Sequence, residues 1–281
     1  QTQHYVGGSD MLLMNAVADV QGVNFITRQT LKNAAEALAG MAKARRLATP
    51  HVKQAPNVGM TIFGVTTPCV SQVSNLLKPD FEPIVFHATG DGGRSMETLL
   101  AQGALDGVID LTTTEIADLV VGGVMAADDT RLDAFARQGG AYIGACGALD
   151  MVNFHGSETV PHAFSERIFY QHNPQVTLMR TSDKDCASIG AFIGEKLNTM
   201  NGPVRFFLNE GGLSTLDAEG QPFYAPSANA ALFQALESTV HQTGQRKVIR
   251  VPHHINAPEF AQKVAETFRS LTGGAAKQRK V

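Results

Sequence analysis

The stretch that decides the fold is VGMTIFG at residues 58–64, a nearly continuous run of apolar and β-branched residues. Runs of this kind, without polar alternation, are typical of strands that are covered on both faces. Comparable runs recur along the chain: PIVFHA (83–88), GVIDL (107–111), AYIGA (141–145), VTLMR (176–180), VRFFL (204–208) and KVIRV (247–251). Together they predict the strands of a buried sheet.

Helical patterns separate many of these runs. Residues 128–138 and 228–240 each place apolar side chains on one side of a helix, and a last helix is predicted from Pro258 to Gly273-Gly274. Strand–helix alternation implies crossover connections, so the sheet is predicted to be mostly parallel and the fold class α/β. The polar stretch at residues 210–230 predicts a long loop or a short hairpin.

The first 56 residues favour helices over strands. Residues 10–20 allow a short apolar helix, and residues 25–46 predict a longer one that ends in basic side chains. Pro50 and Pro56 mark a connector. The chain is therefore divided into residues 1–56 and an α/β domain over residues 57–281.

Composition excludes several classes of protein. The chain has 43% hydrophobic and 17% charged residues and a net charge of −3, which is ordinary for a globular protein and offers no nucleic-acid surface. The basic residues Lys277, Arg279 and Lys280 are interpreted as a frayed tail. No apolar run reaches the roughly 18 residues that a membrane span requires. Three widely spaced cysteines predict a reducing, cytoplasmic setting.

The strongest local signal is HATGDGGRSME at residues 87–97, which follows a predicted strand and precedes a helical run. Glycines let the backbone approach a ligand, and a helix N-terminus favours anions. An arginine adds a bidentate contact to phosphate or carboxylate. The segment predicts an anion cradle; the alternative is a tight turn with a surface arginine. The candidate residues are His87, Thr89, Gly90, Gly92, Gly93, Arg94 and Glu97.

Polar residues also follow three other predicted strands, where parallel sheets bind ligands. Two threonines follow the first strand, two threonines and a glutamate follow GVIDL (107–111), and an aspartate and an asparagine follow AYIGA (141–145). Helix capping alone is the alternative for the threonines, and hydrogen-bonded structure is the alternative for the last pair. The candidates are Thr66, Thr67, Thr113, Thr114, Glu115, Asp150 and Asn153.

Three histidines near strand ends are candidates for general acid–base chemistry: His87, His172, which precedes Asn173, and His254. Asp150 is a candidate to orient one of them, and Glu115 is a further catalytic candidate. The histidines are scattered and lack metal-ligand spacing, so no metal site is assigned. No GxSxG elbow is present, which disfavours an α/β-hydrolase triad.

Six segments, taken in order, resemble blocks of one protein family: IFGVTTPCV (62–70), FHATGDGGRSMETL (86–99), DLTTTEIADLVVGGV (110–124), GALDMVNF (147–154), FYQHNPQVTLMRT (169–181) and PHHINAPEFA (252–261). The family is the tobamovirus-resistance-type, ATP-binding group, which includes bacterial proteins of uncertain function and part of a plant resistance protein. The similarity runs from about Val6 to Phe268. Each block is weakly specific, whereas the ordered set is strongly so.

The resemblance implies a Rossmann-like, three-layer domain over residues 57–281 that binds ATP, with Mg²⁺ as a possible companion. Family members are longer and carry a further α/β subdomain ahead of the segment like residues 5–42. Residues 1–56 would then be the helical remnant of that first subdomain plus a linker. The absent subdomain is the partner that the resemblance implies. The segment at residues 87–97 indicates a small anionic ligand, and the Gly-rich and apolar helices offer surface for a second copy of the chain.

Three functions remain open at this point. The leading hypothesis is a protein that binds ATP or another small anion, with Glu97 or Glu115 orienting a Mg²⁺-bound water. The second is an enzyme that acts on a small organic acid or its phosphate through one of the histidines. The third is an interaction module regulated by nucleotide, which the resistance protein in the family suggests.

Overall fold

The structure is a computed structural model that describes residue 6, residues 9–47 and residues 55–273. It forms two compact units, residues 1–54 and residues 55–281. Pro50 and the basic residues near the C-terminus lie outside the described residues. Within the described parts, no helix combines the length and the apolar character needed to cross a membrane.

The first unit contains one long helix, α1 (Phe25–Leu47), as the sequence predicts. Asn24 caps it, because its side-chain oxygen accepts hydrogen bonds from the N–H groups of Ile26 and Thr27. The helix predicted over residues 10–20 is wrong, since that segment is irregular. Asn15 accepts a hydrogen bond from the N–H of Val17, whose φ is 69°, and this local turn replaces helical bonding.

The second unit alternates strands and helices. Its nine strands are β1 (Asn57–Ile62), β2 (Glu82–His87), β3 (Gly107–Thr112), β4 (Ala141–Gly147), β5 (Met151–Phe154), β6 (Phe169–Asn173), β7 (Val176–Arg180), β8 (Val204–Asn209) and β9 (Arg246–Val251) within the described range. Its α-helices are α2 (Thr67–Leu77), α3 (Asp91–Ala101), α4 (Thr114–Val121), α5 (Ala134–Gln138), α6 (Asp183–Thr199), α7 (Pro226–Thr239) and α8 (Pro258–Thr272).

Six strands form one parallel sheet in the order β2-β1-β3-β4-β8-β9. Apolar cores cover both faces. Helices α2 and α8 pack on one face, and α3 to α7 contribute to the core on the other. The prediction of a three-layer, Rossmann-like α/β fold with a mostly parallel sheet is confirmed. Burial of β3 and β4 on both faces explains why their sequences lack polar alternation.

The run at residues 176–180 is a strand, but it belongs to a second, antiparallel sheet of order β5-β7-β6. Its neighbours β5 and β6 were not predicted. Strand β6 is exposed at all five residues and β5 is buried at all four, so neither shows the alternation of a half-buried strand.

Two helix predictions need correction. The helix expected over residues 128–138 shortens to α5, because Leu132 takes a left-handed conformation with φ 78° and Arg131 turns into the interior. The capping alternative for the threonines, with Thr67 and Thr114 as the caps, also changes by one residue, because Thr66 and Thr113 precede α2 and α4 while Thr67 and Thr114 are the first residues of these helices. Helix α6, which was not predicted, begins at a capping box formed by Ser182 and Asp185.

Candidate functional site

The crevice at the carboxyl edge of the sheet is filled by the protein's own loops. In a sheet of this order, ligands usually bind where the connections diverge, between β1 and β3. Here the N–H of Thr215 donates to the carbonyl of Val65 at 3.1 Å, which ties the loop after β8 to the loop after β1. An apolar cluster covers the same edge: Phe63, Val65, Ala148, Met151, Leu178, Leu216 and Phe223.

The threonines at this edge bond to neighbouring parts of the protein. Thr66 shares a hydrogen bond of 2.7 Å with the hydroxyl of Thr112. Thr113 donates to the carbonyl of Ala145 at 3.4 Å, and Thr114 accepts from the Asn153 amide at 3.3 Å. Thr67 is exposed, although its hydroxyl reaches the carbonyl of Phe63. The hydroxyls therefore join adjacent loops and strands.

The glycine-rich turn packs against the protein's own carboxylate. Gly90 adopts φ 85°, and its N–H donates to Oε2 of Glu115 at 2.6 Å. A Cβ added at Gly93 would overlap Oε1 of Glu115 and approach Nε of Arg131 to 2.6 Å. One added at Gly92 would overlap the carbonyl oxygen of His87. Gly93 is needed because helix α3 lies directly against a buried ion pair, and Gly92 is needed because the helix starts against the backbone of His87.

That ion pair is part of a buried cluster centred on Arg131. The guanidinium contacts Glu97 and Asp110 at 2.8 Å and Glu115 at 2.6 Å, and its side chain is 2% exposed. Asp110 also accepts from the Tyr142 hydroxyl at 3.2 Å. Burial raises the pKa of Glu115, while the positive charge of Arg131 favours its ionised form. Three carboxylates thus share one cation inside the protein.

Three buried charged residues, Asp110, Asp118 and Arg131, were not among the candidates predicted from the sequence. A signal existed, because Asp110 interrupts the apolar run GVIDL and Asp118 interrupts an apolar helix. A buried charge requires a partner. The partners lie 21 residues from Asp110, at Arg131, and 35 residues from Asp118, at Asn153. Burial raises the pKa of Asp118 to about 7.

A cavity of about 370 Å³ lies beside the glycine-rich turn. Arginines border it at three positions, and its other lining residues come from α3 and the residues that flank it, from α5 and from the segment between α4 and α5. Arg94 is half-exposed and pairs with Asp128 at 3.2 Å and with Asp91 at 3.8 Å. Arg137 is exposed and forms no ion pair with any other described residue. Among the predicted candidates, Gly90, Arg94 and Glu97 line this cavity.

Glu97 and Glu115 do not fit a protein-bound Mg²⁺. Both carboxylates bond to Arg131, and Glu97 also accepts from the N–H of Leu132 at 2.6 Å. Across the described residues, no group of three or more His, Cys, Asp or Glu side chains is placed to hold a metal ion. No metal is assigned to these carboxylates.

A second buried polar cluster surrounds Asp150. Its Oδ2 accepts from the Ser214 hydroxyl at 2.7 Å, and the carbonyl of Asp150 accepts from Arg180 at 3.4 Å. Arg180 also lies 3.7 Å from Asp217, whose other oxygen accepts from Asn229 at 2.7 Å. Burial and the nearby Asp217 raise the pKa of Asp150 to about 7, against the opposing charge of Arg180.

The stability that protonated Asp150 contributes to the fold should decrease as pH rises toward neutrality. Its folded pKa exceeds the unfolded value of roughly 4, so the folded state binds the proton more tightly, and this stabilisation is lost as pH rises through about 7. Asp150→Asn should therefore reduce the loss of stability between pH 5 and pH 7.5 by about 2 kcal/mol. Urea denaturation at several pH values measures this. Asp129→Asn, which changes an exposed residue, is the control and should leave the pH dependence of the free energy of unfolding unchanged. The same pH dependence in both variants would show that Asp150 is not responsible for the loss of stability.

The structure does not bring the histidine candidates into one group. His254 contacts the carbonyl of Ser214 through Nε2 at 2.8 Å, and its Nδ1 accepts from the N–H of Asn256 at 3.0 Å. Both ring nitrogens are therefore engaged, with the proton on Nε2. His87 is exposed beside the Phe63 ring, and partial burial lowers its pKa. His172 is exposed on β6.

The remaining candidates hold local structure. Asn153 donates from its backbone and its side chain to Asp118, at 2.8 and 3.0 Å. Asn173 is exposed and accepts from the N–H of Gln175 at 2.8 Å, which closes the turn between β6 and β7. Thr89 is half-buried, and its hydroxyl reaches the carbonyl of His87 at 3.5 Å.

Comparison with known families matches both parts of the chain. Residues 55–272 match the C-terminal domain of an uncharacterised protein family, UPF0261. Residues 1–47 match the N-terminal domain of the same family. The two matches leave a gap at residues 48–54, which falls at the end of the first compact unit.

Curated relatives extend the comparison to bacteria and plants. A UPF0261 protein of Rhizobium meliloti (strain 1021) is 50% identical over 267 residues, which are 95% of this chain and 66% of the relative. The tomato proteins ToMV resistance protein Tm-1(GCR237) and ToMV susceptible protein tm-1(GCR26) are each 43% identical over 277 residues, 97% of this chain and 37% of theirs. The chain thus spans less than two thirds of the length of these relatives.

Proposed function

This chain belongs to the uncharacterised protein family UPF0261, and we propose that it binds a small anionic molecule in the cavity beside the glycine-rich turn. The ligand carries phosphate or carboxylate groups, and ATP is the first candidate to test because the sequence resembles an ATP-binding group. The tomato relatives are named for resistance or susceptibility to ToMV, and those names specify no ligand.

The observation that carries the proposal is the set of arginines around the cavity. Arg131 is saturated by three carboxylates and shapes the inner wall. Arg94 and Arg137 remain to meet a ligand. Arg94 is half-exposed and its partner Asp128 is 43% exposed, so their ion pair contributes little to stability. A ligand anion can replace Asp128 at small cost and gain a bidentate contact.

The volume of the cavity also supports a ligand of modest size. About 370 Å³ falls within the range of roughly 300–1,000 Å³ typical of small-molecule pockets. Thr98 and Thr130 also line the cavity, and their hydroxyls donate to the carbonyl of Arg94 and to Asp128, so the arginines remain the donors for an anion. We expect the anionic end of the ligand to lie between Arg94 and Arg137, with the rest of it directed toward solvent.

Removing either arginine should weaken anion binding. Arg94→Ala and Arg137→Ala are each expected to raise the dissociation constant about tenfold, because hydrogen bonds to charged groups contribute roughly 1.5–3 kcal/mol. Calorimetric titration of Mg-ATP and of inorganic phosphate into this chain measures the effect. The proposal predicts an affinity that falls with added salt, since both arginines are accessible to solvent.

The matched control is Arg28→Ala, which removes the same charge from an exposed position on α1. It should bind as the parent chain does. If neither ligand binds, or if Arg94→Ala and Arg137→Ala bind as tightly as Arg28→Ala, the cavity is not the site. Circular dichroism on each variant separates a loss of binding from a loss of fold.

A further inference from the structure

The small antiparallel sheet has one edge that the described part of the protein leaves uncovered. Strand β6 lies at the end of the order β5-β7-β6, and all five of its residues are exposed. Strand β5 forms the opposite edge and is buried along its whole length. An edge strand presents backbone N–H and C=O groups without partners, so β6 is open to pairing with another strand.

The two edges of the main sheet carry features that oppose such pairing. Strand β2 begins with Glu82 and Pro83, and proline cannot donate to a strand ladder. Strand β9 has three basic residues in its sequence RKVIRV. Charged side chains and proline are common means by which proteins protect an edge strand. The sequence of β6, FYQHN, contains no Lys, Arg, Asp, Glu or Pro, so this edge lacks that protection.

Exposed apolar side chains are concentrated at the same edge. Among the described residues of the second unit, the exposed large hydrophobic ones are Val85, Val124, Ile168, Phe169, Tyr170 and Tyr224. Three of the six are consecutive, and Tyr224 follows Phe223, whose ring centroid lies 6.4 Å from that of Tyr170. Contiguous apolar surface of this kind marks a site of protein interaction.

The hydrogen bonds to β7 determine which backbone groups of β6 are free. The N–H of Arg180 donates to the carbonyl of Ile168, just before β6, at 2.8 Å. Antiparallel alternation then turns the N–H and C=O groups of Phe169 and Gln171 away from β7. The register with β7 shifts between Gln171 and Asn173, so the regular alternation ends there.

A second copy of β6 fits these free groups in one register. The N–H of Arg167, two residues before the strand, already donates to the carbonyl of Phe164 at 2.9 Å. Phe169 and Gln171 are therefore the residues that offer both backbone groups. Two antiparallel β6 strands satisfy all of them when Phe169 of each copy lies opposite Gln171 of the other. This register places Tyr170 on the two-fold axis.

We propose that β6 pairs with β6 of a second copy of this chain and joins the two small sheets across a homodimer. The two Tyr170 side chains form a cross-strand pair without backbone hydrogen bonds, which is the closer kind of pair, and Ile168 lies opposite His172. The same residues that are exposed in one copy are covered by their counterparts in the other. A two-fold interface of this kind closes at two copies.

Cysteine cross-linking tests the register. Tyr170→Cys should link two chains by a disulfide under mild oxidation, because Cα atoms in such a pair are about 4.5 Å apart, within the range that a disulfide spans. Ile168→Cys is the matched control and should not cross-link, since the two copies of residue 168 are offset by about 13 Å along the strands. All three native cysteines are buried and should not compete. Non-reducing electrophoresis measures the linked fraction.

Sedimentation velocity tests the dimer itself. The parent chain should be dimeric at about 100 µM, because interfaces of ordinary size reach at least micromolar affinity. Tyr170→Lys places two like charges opposite each other and should weaken dimerisation by at least about tenfold. Val85→Lys makes the same change at an exposed position on β2, the edge of the other sheet, and should dimerise as the parent chain does.

A second variant keeps the test decisive if Tyr170→Lys fails to fold, which circular dichroism detects. Gln171→Pro removes an N–H that faces away from β7, a position where an edge strand tolerates proline, and should also weaken dimerisation. The proposal is overturned if the parent chain remains monomeric, or if Ile168→Cys cross-links as readily as Tyr170→Cys. It is equally overturned if the folded β6 variants dimerise as tightly as Val85→Lys.

Discussion

Replacing Arg131 with methionine is expected to lower the free energy of unfolding by about 4 kcal/mol, because breaking a buried ion pair leaves an uncompensated charge. Three carboxylates, those of Glu97, Asp110 and Glu115, would lose their shared cation although all three are buried. Domains are stable by only about 5–15 kcal/mol, so this change removes a large part of the total.

Urea denaturation at pH 7 measures this loss. Arg137→Met is the matched control, since the exposed Arg137 has no ion pair with a described residue and its replacement should cost less than about 0.5 kcal/mol. Adding Glu115→Gln to Arg131→Met should restore part of the stability by removing one unpaired charge. Equal midpoints for the two single variants would show that Arg131 does not hold the cluster together.

The loss of stability caused by Arg131→Met should also be smaller at acidic pH. Burial raises the pKa of Glu115, and the loss of Arg131 removes the charge that opposes this rise. A carboxyl whose folded pKa lies above its unfolded value stabilises the fold below the unfolded pKa, and that stabilisation is lost as pH rises through the folded pKa. Arg131→Met should therefore lie closer to the parent chain at pH 5 than at pH 7.

Gly93→Ala is expected to destabilise the chain by about 3 kcal/mol through overpacking and loss of the buried ion pair. This reverses the usual effect, because alanine normally stabilises a helix by about 1 kcal/mol relative to glycine. The reason is steric: the new methyl group would occupy the space of the Glu115 carboxylate and the Arg131 guanidinium. Nothing in the backbone of α3 itself opposes alanine, since Gly93 does not have positive φ.

Gly40→Ala provides the contrast within the same chain. Gly40 lies inside α1, where an added Cβ meets no atom within 4 Å, so this variant should be more stable by about 1 kcal/mol. Thermal unfolding of both variants, monitored by circular dichroism, should show a lower melting temperature for Gly93→Ala and a higher one for Gly40→Ala. A stabilised Gly93→Ala chain would mean that Glu115 and Arg131 do not pack against α3 as the structure has them.

These two experiments also bear on the glycine-rich turn as a ligand site. The turn binds an anion already, because the N–H of Gly90 donates to Glu115. The glycines of this turn therefore make room for the carboxylate of Glu115, which belongs to the protein. The anionic ligand that we propose would instead contact Arg94 and Arg137. Gly93→Ala should change stability far more than it changes anion affinity, whereas Arg94→Ala should do the reverse.

Local sequence was sufficient for elements whose burial is uniform. The runs at 58–64, 107–111 and 141–145 predict strands because both faces of the sheet are covered. Helix α8 is predicted for a related reason, since Phe260, Val264 and Phe268 lie on one face at helical spacing and are buried there. In these segments consecutive residues or helical turns face the same apolar environment. The hydrophobic pattern of the segment itself is therefore enough to predict its secondary structure.

The same reasoning failed where distant residues set the conformation. Residues 128–138 have a helical pattern, yet Arg131 is drawn toward Asp110 and Glu97, which are 21 and 34 residues away, and the helix begins only at Ala134. Strand β7 has the composition of a parallel strand, but it pairs with β5 and β6. Neither the late start of α5 nor the antiparallel pairing of β7 can be predicted from the sequence of that segment alone.

The sequence by itself determined the α/β class, the parallel character of the main sheet and the positions where polar residues follow strands. Only the tertiary structure decided how those polar residues are used. Most of the threonines, Glu97, Glu115 and Asp150 bond to groups far along the chain, and Arg94 and Arg137 are left beside an open cavity. The physical reason is that hydrophobic burial is a property of short segments, whereas a buried charge is stable only with a partner, and the fold alone brings that partner near.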